Sequence, residues 1–405
     1  MPQERYQNFL IIGGGIGGLS AALALARKGI ASQVFERRAP DEADGAGIQI
    51  GPNGVTILRA LGIADLLKGR VSEPKQINVR LARSGASLTN LPLGAWIAAR
   101  HGAPYWTLQR SDLHAALRQA ADSEPLIEVH YAVKVSHISE RMHYAMIHYG
   151  DDTTVKGRGV INAGGLWADI AHSELVDTGA QPQPQPTGKS AFRATVPASS
   201  LSLNDSKNET IVWLHPGAHV VSYPVSGGHE RALVLILQDT SDQAHWNRTV
   251  KNHEIATRIS NFTPQLTAML NSVESWRGWP LFVKPSVPSV AWSTPRTTQL
   301  GDASTPVLPF LAQGGVMALE DSAVLANTIA SENTNLEGAL HIYETERRPR
   351  RQLTAQASLN NGRIYHLSGL MAAARNTSLR LVPAERLMHR YDWLYGWKPP
   401  QPASL

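Results

Sequence analysis

A run of glycines between an apolar segment and a helical pattern near the N-terminus constrains the fold of this chain more than any other feature. The segment reads NFLIIGGGIGGLSAALALARKGI from residue 8 to residue 30. The apolar run that ends at Ile12 predicts a short buried strand, and apolar residues at helical spacing after Gly18 predict a helix that stops at Gly29. A strand, a glycine turn and a helix in this order predict an α/β fold.

Three of these glycines have the Gly-x-Gly-x-x-Gly spacing that binds the pyrophosphate of a dinucleotide. Gly13 makes the tight turn, Gly15 lets the backbone approach the pyrophosphate, and Gly18 lets the helix pack closely on the strand. Because the chain has 33 glycines, this spacing arises by chance about 0.2 times per chain. Glu36 ends the second predicted strand, where a carboxylate accepts hydrogen bonds from the adenosine ribose. Together these features predict binding of NAD or FAD without distinguishing the two.

Composition excludes several other classes of protein. The chain has no cysteine, which rules out disulfides, thiolate metal sites and catalytic thiols, and we predict no metal site. Its net charge of +5 is spread thinly, so we predict no nucleic acid partner. The apolar N-terminal segment is interrupted by glycines and followed at once by Arg27 and Lys28. We therefore expect neither a signal peptide nor a membrane span, and a cytoplasmic protein.

A second glycine-containing segment, far downstream, favours flavin over nicotinamide. It reads TTQLGDASTPVLPFLAQGGVMALEDSAVLANTIA from residue 297 to residue 330. Asp302 lies in a predicted strand-end loop, where a carboxylate can bind the hydroxyls of a polyol. Gly314 and Gly315 open a predicted helix whose N–H groups can face the anionic edge of a reduced flavin ring.

Several motifs, in order along the chain, resemble one known family. Besides the two glycine segments they are GAGIQIGPNG at 45–54, GAPYWTLQRSDLHAAL at 102–117 and YDWLYGW at 391–397. The chain resembles the class A flavoprotein aromatic hydroxylases related to para-hydroxybenzoate hydroxylase, and within them the 3-hydroxybenzoate 6-hydroxylases and salicylate hydroxylases. The resemblance implies FAD as cofactor, with NADH or NADPH and O₂ as co-substrates. It further implies that a flavin C4a-hydroperoxide transfers oxygen to a small aromatic acid that is salicylate- or hydroxybenzoate-like.

The resemblance also assigns the residues that hold FAD. They are Gly13, Gly15, Gly18 and Glu36, with Arg110 near the pyrophosphate, Asp302 on the ribityl chain, and Gly314 and Gly315 at the ring. Arg110 suits this role by its position as well, because it directly precedes Ser111 and Asp112 at a predicted helix start. A guanidinium there adds a bidentate phosphate ligand to a helix N-terminus.

Candidate substrate residues lie on a predicted strand with alternating polarity. His219 and Tyr223 share one face of it, and histidine, with an ordinary pKa of about 6.5, suits the removal of a phenol proton. A histidine and a tyrosine at matching positions contact substrate in the 3-hydroxybenzoate group, which implies His219 as base and Tyr223 as a phenol or carboxylate partner. Tyr105 matches a substrate-side tyrosine, whereas Pro309 replaces the glutamine of that group, as in many salicylate-type relatives. A simple pair of sheet residues remains the alternative for His219 and Tyr223.

One stretch, INAGGLWADIA at 161–171, departs from the family pattern. Gly164 stands where the family has an aspartate, and Ala168 and Ala171 stand where it has serine and arginine. The resemblance implies that this aspartate helps to hold FAD and to engage NAD(P)H, so its absence removes a charge-assisted hydrogen bond worth roughly 1.5–3 kcal/mol. Thr305 also replaces a common histidine. The alternative function is therefore a flavin-binding protein whose reduction by NAD(P)H is slow, altered in donor preference or lost.

The resemblance implies a Rossmann-like FAD-binding domain of the glutathione-reductase type, interleaved with a mostly antiparallel substrate sheet. We expect the FAD-binding domain at residues 1–75, 100–178 and 285–345, and the substrate-binding domain at 76–99 and 179–284. A C-terminal helical segment is expected at 346–405.

Three further expectations concern the rest of the chain. QPQPQPTGKS at 181–190 predicts an extended crossover between the domains, and ERRPRRQ at 346–352 predicts a solvated face of a helix. Because relatives of this group often dimerise, a homodimer is also expected. A nicotinamide dehydrogenase is disfavoured, since the chain has no Tyr-x-x-x-Lys sequence.

Overall fold

The computed structural model describes residues 6–40, 47–167, 182–201, 207–239, 247–259, 261–285, 287, 289–331 and 335–400, and the backbone of residues 171–172. The elements below are those of the described residues. The strands are β1 (Phe9–Ile12), β2 (Ser32–Phe35), β3 (Gly47–Ile50), β4 (Gln76–Leu81), β5 (Ser87–Pro92), β6 (Trp106–Gln109), β7 (Ile127–His130), β8 (Val135–Glu140), β9 (Ala145–Tyr149), β10 (Thr153–Gly157), β11 (Gly159–Asn162), β12 (Ala171–His172), β13 (Gln185–Pro197), β14 (Thr210–His215), β15 (Ala218–Val225), β16 (Glu230–Gln238), β17 (Arg248–Lys251), β18 (Ser275–Val283) and β19 (Thr297–Gln299).

The helices complete an α/β fold with a helical C-terminal part. They are α1 (Ile16–Ala26), α2 (Pro52–Ala60), α3 (Gly94–His101), α4 (Arg110–Asp122), α5 (Asn252–Ala256), α6 (Pro264–Asn271), α7 (Gly314–Ile329), α8 (Leu336–Tyr365), α9 (Gly369–Leu381), α10 (Ala384–His389) and α11 (Asp392–Tyr395). Among these helices there is none whose length and hydropathy would let it span a membrane.

A parallel sheet gathers the ends of four strands that are distant in sequence. Its order within the described residues is β19, β11, β1, β2 and β7, and each neighbouring pair is parallel. Because parallel strands end at one edge, the residues that follow β1, β2, β11 and β19 meet there. The glycine turn at Gly13, the carboxylate of Glu36, the loop at Gly164 and the turn at Gly301 are those residues.

Helices α1 and α7 pack closely on this sheet and on each other. A Cβ at Gly17 would lie 2.9 Å from Leu300 Cδ2 and 3.4 Å from the Cβ of Ala318, so the glycine permits the approach. The hydroxyl oxygens of Ser20 and Ser322 are 2.8 Å apart across the same contact. This packing brings the starts of both helices to the edge where the strands end.

A mixed sheet of eight strands forms the second layer. Its order is β17, β18, β13, β16, β15, β14, β4 and β5, with only the β14–β4 pair parallel among the pairs described. Residues 76–92 thus join the same sheet as residues 185–283. One face carries Tyr223 and Ile236 and packs on Leu308 and Phe310, so the sheet meets the loop that precedes α7.

The proline-rich stretch is extended, as predicted, but it is also part of a sheet. From Gln185 onward it belongs to β13, which pairs with β16 and β18. The pairing with β18 shifts in register between Pro186 and Ser190. An irregularity of this kind accommodates a residue without an N–H donor, so the proline content did not prevent strand formation. The C-terminal part is helical as expected, although α8 already begins at Leu336.

Candidate functional site

The glycine turn has the shape expected for a pyrophosphate cradle. Gly13 has φ +99°, and a Cβ at Gly18 would lie 1.8 Å from the carbonyl oxygen of Gly13. A Cβ at Gly15, in contrast, would meet no protein atom within 4 Å. Gly15 is also the N-cap of α1 and provides no side-chain cap for the helix. The first N–H groups of α1 therefore face open space, where a phosphate can accept their hydrogen bonds.

Glu36 lies directly beside this turn. Its side chain is buried, and its Oε2 accepts a hydrogen bond of 2.7 Å from the backbone N–H of Gly14. Its Oε1 accepts a second one, of 2.9 Å, from the N–H of Arg38. His114 on α4 approaches from the other side, with Nε2 2.7 Å from the carbonyl oxygen of Gly14. The turn is thus held from two neighbouring elements.

Asp302 lies in a short turn after β19 and retains an unused acceptor atom. Its Oδ1 is buried and has no hydrogen-bond partner among the described residues, although Nη2 of Arg351 lies 3.5 Å away. Burial raises the pKa of Asp302, and the positive charges of Arg351 and Arg110 oppose that rise. Arg110 is therefore close enough for its charge to act on Asp302. The Oδ1 atom, which has no described partner, can accept a hydrogen bond from a ligand hydroxyl.

Gly314 and Gly315 open α7 as the sequence predicts. The N-cap residue Gln313 is buried and makes no side-chain cap. A Cβ at Gly314 would have only the carbonyl oxygen of Val307 near it, at 3.6 Å, whereas one at Gly315 would lie 3.1 Å from Ile48 Cδ1. The start of α7 is therefore open on one side and closed on the other.

The arginine cluster at 346–352 is not the solvated face predicted from the sequence. Arg347 and Arg351 are 1% and 0% exposed, because α8 packs on α7, which carries the buried pair Glu320 and Asp321. Arg347 donates to both carboxylates at 2.8 Å. Arg350 donates to Glu320 at 2.6 and 2.7 Å. Two acidic residues inside an otherwise apolar helical stretch are the sequence signal for this arrangement, since buried carboxylates require cationic partners.

This ion network reaches the loop that carries Asp302. Asp321 accepts hydrogen bonds from Arg351 at 2.7 Å and from the backbone N–H of Gly301 at 3.0 Å. Arg351 also donates to the carbonyl oxygen of Thr305. Three arginines thus face three carboxylates, and their hydrogen bonds fix the loop between β19 and α7. Sequence reasoning missed this support for the candidate FAD site.

His219 lies on β15, facing the same loop from the opposite layer. It is 1% exposed, and its Nδ1 lies 2.8 Å from Nε2 of His366 at the end of α8. Its ring centroid is 5.6 Å from that of Phe310 and 5.1 Å from that of Tyr365. Burial, with a smaller contribution from His366, lowers the pKa of His219 well below its usual value. His219 is therefore neutral at pH 7, and the sequence did not anticipate its partner.

Tyr223 follows on the same face of β15 and is 2% exposed. A Cβ at Gly47 would lie 2.8 Å from its hydroxyl oxygen, so Tyr223 reaches the edge of the two-stranded sheet formed by β3 and β6. Tyr105 is buried nearby and donates a hydrogen bond of 3.0 Å to Gln49 Oε1. Burial raises the pKa of both tyrosines, so both hydroxyls carry their protons at neutral pH.

Pro309 begins the turn that places Phe310 against His219. Helix α8 supports this turn, because Asn361 donates to the carbonyl oxygen of Phe310 at 2.7 Å and Ser358 donates to that of Leu308 at 2.7 Å. A proline in the first position presets the backbone of such a turn. The residue that replaces the glutamine of the resembled group thus lies one position from a ring beside the candidate base.

Gly164 lies against the glycine turn, since a Cβ at Gly13 would be 3.0 Å from the Gly164 Cα. Its backbone N–H donates a hydrogen bond of 3.1 Å to the buried side chain of Asn162. The position that carries an aspartate in the resembled family is therefore at the candidate cofactor site. Ala168 lies outside the described residues, as does the side chain of Ala171.

A parallel sheet whose strand ends carry a glycine cradle, a carboxylate at the cradle and an aspartate with an unused acceptor defines a dinucleotide-binding α/β protein. The family model described as "FAD binding domain" matches residues 6–358. The chain is 30% identical to a 3-hydroxybenzoate 6-hydroxylase of Klebsiella oxytoca, covering 96% of both chains. It is 32% identical to a 3-amino-4-hydroxybenzoate 2-monooxygenase of Streptomyces platensis, covering 96% of this chain and 95% of the relative.

Its fold is similar to that of HpxO from Klebsiella pneumoniae, solved with FAD and uric acid, with a TM-score of 0.80 at 21% identity over 96% of this chain and 97% of that one. The chain belongs to the family of FAD-binding domains. It is an FAD-dependent aromatic-ring monooxygenase.

Proposed function

We propose that this monooxygenase hydroxylates a small aromatic acid that carries a phenol, with NADH or NADPH and O₂ as co-substrates. The observation that carries the proposal is the position of His219 on a buried sheet face, directly opposite the loop that links Asp302 to α7. The names of the relatives agree, since they act on 3-hydroxybenzoate and 3-amino-4-hydroxybenzoate. Each of these compounds has a carboxylate and a phenol on one ring.

The residues present fit FAD. The open space at Gly15 and the N-terminus of α1 suit the pyrophosphate, and Gly13 and Gly18 allow the close approach. Glu36 lies beside the glycine turn, where its carboxylate can accept a hydrogen bond from a ribose hydroxyl. The idle Oδ1 of Asp302 suits a hydroxyl of the ribityl chain.

The remaining assigned ligands complete this proposed site. Arg110, at the first position of α4, adds a cation near the pyrophosphate, and Gly314 and Gly315 present the N–H groups of α7 to the ring. Bound FAD supplies the electron transfer from NAD(P)H and the activation of O₂. The chain itself binds FAD and positions its ring.

His219 acts in this proposal as the acceptor of the phenol proton. It is neutral, because burial lowers its pKa, and Nε2 is the ring nitrogen that its contact with His366 does not use. Removal of the phenol proton raises the electron density of the ring, which favours attack on an electrophilic oxygen. Tyr223 and Tyr105 remain protonated at neutral pH and can donate hydrogen bonds to the phenolate or carboxylate of the substrate.

The division into domains belongs to the same proposal. We assign residues 1–75, 100–178 and 285–345 to a Rossmann-like FAD-binding domain of the glutathione-reductase type, and residues 76–99 and 179–284 to the substrate-binding domain. The parallel and mixed sheets support this division, because their strands come from these segments. A cytoplasmic location and a homodimer are retained as parts of the proposal.

A second candidate function rests on Gly164. Its place against Gly13 is where a carboxylate would contact the cofactor site, and no carboxylate is present at this position. Loss of one charge-assisted hydrogen bond weakens binding by about ten- to a hundredfold. FAD has many other ligands here, so the effect would fall on the reduction by NAD(P)H, leaving a flavin-binding protein with slow or altered turnover.

Anaerobic stopped-flow reduction tests both candidates. The holoenzyme is mixed with NADH or NADPH in the presence of 3-hydroxybenzoate, salicylate or 6-hydroxynicotinate, and the visible absorbance of the flavin is followed. We expect one acid to accelerate bleaching, and the aerobic reaction to give its hydroxylated product in step with O₂ consumption. If the bound flavin stays oxidised with every donor and acid, the second candidate replaces the first, and Gly164→Asp should then restore reduction.

A further inference from the structure

A pair of histidines, one buried and one half-buried, joins the mixed sheet to the end of α8. His219 is on β15, and His366 is the C-cap residue that directly follows α8. Their ring nitrogens, Nδ1 of His219 and Nε2 of His366, are 2.8 Å apart. The backbone also connects these elements, since the N–H of Gly217 donates to the carbonyl oxygen of His366. Because the two histidines are 147 residues apart in the sequence, no local sequence pattern indicates that they form a pair.

When both imidazoles are neutral, one proton lies between the two facing nitrogens and forms the hydrogen bond. If Nδ1 of His219 carries it, Nε2 of His219 is unprotonated and can accept a proton. If Nε2 of His366 carries it, Nε2 of His219 holds its own proton and cannot act as a base. The hydrogen bond therefore decides whether His219 is competent, as the partner of a histidine generally fixes its tautomer.

The proposed role of His219 as the base requires the first arrangement, because Nε2 can take the phenol proton only when Nδ1 carries the proton of the neutral ring and donates it to Nε2 of His366. Burial, with smaller contributions from the charges of Lys189 on β13, Arg375 on α9 and His215 on β14, lowers the pKa of His366 to about 4. His366 thus resists a second proton and is unsuited to carry the phenol proton away. Its Nδ1 is buried and has no hydrogen-bond partner among the described residues, which gives that atom no route for passing a proton on.

We propose, resting on the proposed role of His219 as the base, that His366 is a positioning residue that accepts a hydrogen bond from Nδ1–H of His219 and so leaves Nε2 of His219 free to take the substrate proton. In the proton transfer, the O–H bond of the phenol breaks and an N–H bond forms at Nε2 of His219. The proton stays on His219 until the product phenolate takes it back. His366 remains neutral throughout.

Two substitutions at His366 separate positioning from proton relay. In His366→Gln, the amide oxygen can still accept the bond from His219 but cannot hold a proton, whereas His366→Leu removes the acceptor. We expect kcat to fall by about a hundredfold in His366→Leu, in the range of general-base effects, and by less than about threefold in His366→Gln. FAD content and KM for the aromatic acid should change little in either. His229→Leu is the control, because His229 is an exposed histidine whose described contacts reach neither His219 nor His366.

The ionisation of bound 3-hydroxybenzoate gives a readout that a loss of folding would not mimic. Difference absorbance spectra of the holoenzyme should show the phenolate form at lower pH in wild type and His366→Gln than in His366→Leu. Equal losses of kcat in both variants would overturn positioning in favour of relay. Unchanged kcat and phenolate formation in His366→Leu would overturn any role of His366 in the reaction.

The tautomer can be measured without a substrate. In holoenzyme labelled with ¹⁵N-histidine, the nitrogen shifts of His219, assigned by its absence in His219→Asn, should show a protonated Nδ1 and an unprotonated Nε2. Protonation of Nε2 instead would overturn the proposal. Failure of wild type to act on any aromatic acid, with the expected tautomer present, would refute the proposed function and leave the hydrogen bond established.

Discussion

Single glycines in the turn after β1 have different physical tasks, although the sequence pattern treats them alike. Gly18 is required by the protein itself, since its Cβ would lie 1.8 Å from a backbone oxygen. At Gly15, in contrast, a Cβ would enter space that holds no protein atom, so we predict that the ligand and not the protein requires this glycine. The two requirements are separable by experiment.

We predict that Gly15→Ala leaves the thermal stability of the apoprotein close to that of wild type but weakens FAD binding at least tenfold. Gly18→Ala should lower the free energy of unfolding of the apoprotein by about 1–3 kcal/mol or more, the range for overpacked sites, and weaken FAD binding as a consequence. Thermal melts of the apoproteins and FAD titrations by fluorescence distinguish these effects. Equal destabilisation of both apoproteins would contradict the separation.

His219→Asn tests the base directly. We expect kcat for the aromatic acid to fall by about 10²- to 10⁴-fold, because an asparagine side chain cannot take up the phenol proton, while FAD content stays at one per chain. Steady-state kinetics with O₂ uptake measure the effect. His229→Gln, at an exposed histidine, should retain wild-type kcat. A decrease in kcat of threefold or less in His219→Asn would show that His219 is not the base.

The half-buried His366 also makes the fold sensitive to acid. Its pKa of about 4 in the folded protein lies below the 6.5 of the free side chain, so the unfolded chain takes up the proton first as the pH falls. The stabilising contribution is complete above about pH 6.5 and is lost progressively towards pH 4, by at most about 3 kcal/mol. Urea unfolding at several pH values should show a shallower fall in His366→Gln than in wild type. His229→Gln should match the wild-type slope.

Helix α8 supports the candidate site from outside the parallel sheet. Its arginines neutralise Glu320 and Asp321 on α7, and Asp321 in turn binds the backbone at Gly301. Removal of one partner of a buried ion pair leaves an uncompensated charge and costs more than the pair contributes. Helix α8 therefore both packs on α7 and, through Asp321, fixes the loop that carries Asp302.

Arg347→Met should lower the free energy of unfolding by about 3–5 kcal/mol, because Glu320 and Asp321 would stay buried with fewer positive partners. Arg363→Met is the control on the same helix, since Arg363 is exposed and should cost less than about 0.5 kcal/mol. Urea unfolding of both variants gives the comparison. A loss below 1 kcal/mol for Arg347→Met would show that the network contributes little.

At the scale of the whole molecule, the candidate site combines three layers. The parallel sheet supplies the glycine turn, the mixed sheet supplies His219 and Tyr223, and α8 supports the loop between them. Gly362 on α8 contacts the loop directly, because a Cβ there would lie 2.7 Å from the ring of Phe310.

Gly362→Ala should displace Phe310 towards His219. We expect KM for the aromatic acid to rise about tenfold while FAD affinity changes less, since the contact falls on Phe310 and not on an assigned FAD ligand. Alanine has the higher helix propensity by about 1 kcal/mol, so a loss of helix stability would not explain the result. Asn360→Ala, at an exposed position of α8, is the control. An unchanged KM would show that the Phe310 ring can move to accommodate the added methyl group without affecting substrate binding.

The sequence by itself determined the local elements and the family. The strand, turn and helix around Gly13, the helix start at Arg110 and the opening of α7 at Gly314 all appear as predicted, because each depends on interactions within a few residues. The family resemblance is confirmed by the matched family and its relatives. The roles of His219, Tyr223 and Tyr105 stay predictions.

Only the tertiary structure decided the long-range partners. The sequence could not show that Arg347 faces Glu320, that His219 meets His366, or that the proline-rich stretch pairs as β13. An arginine cluster is equally compatible with water and with buried carboxylates until the packing of α8 on α7 removes the water. Burial also lowers the pKa of His219 from the value that its residue type suggests. Desolvation and pairing between distant residues arise only when the layers come together, and for that reason they lie beyond the reach of local sequence patterns.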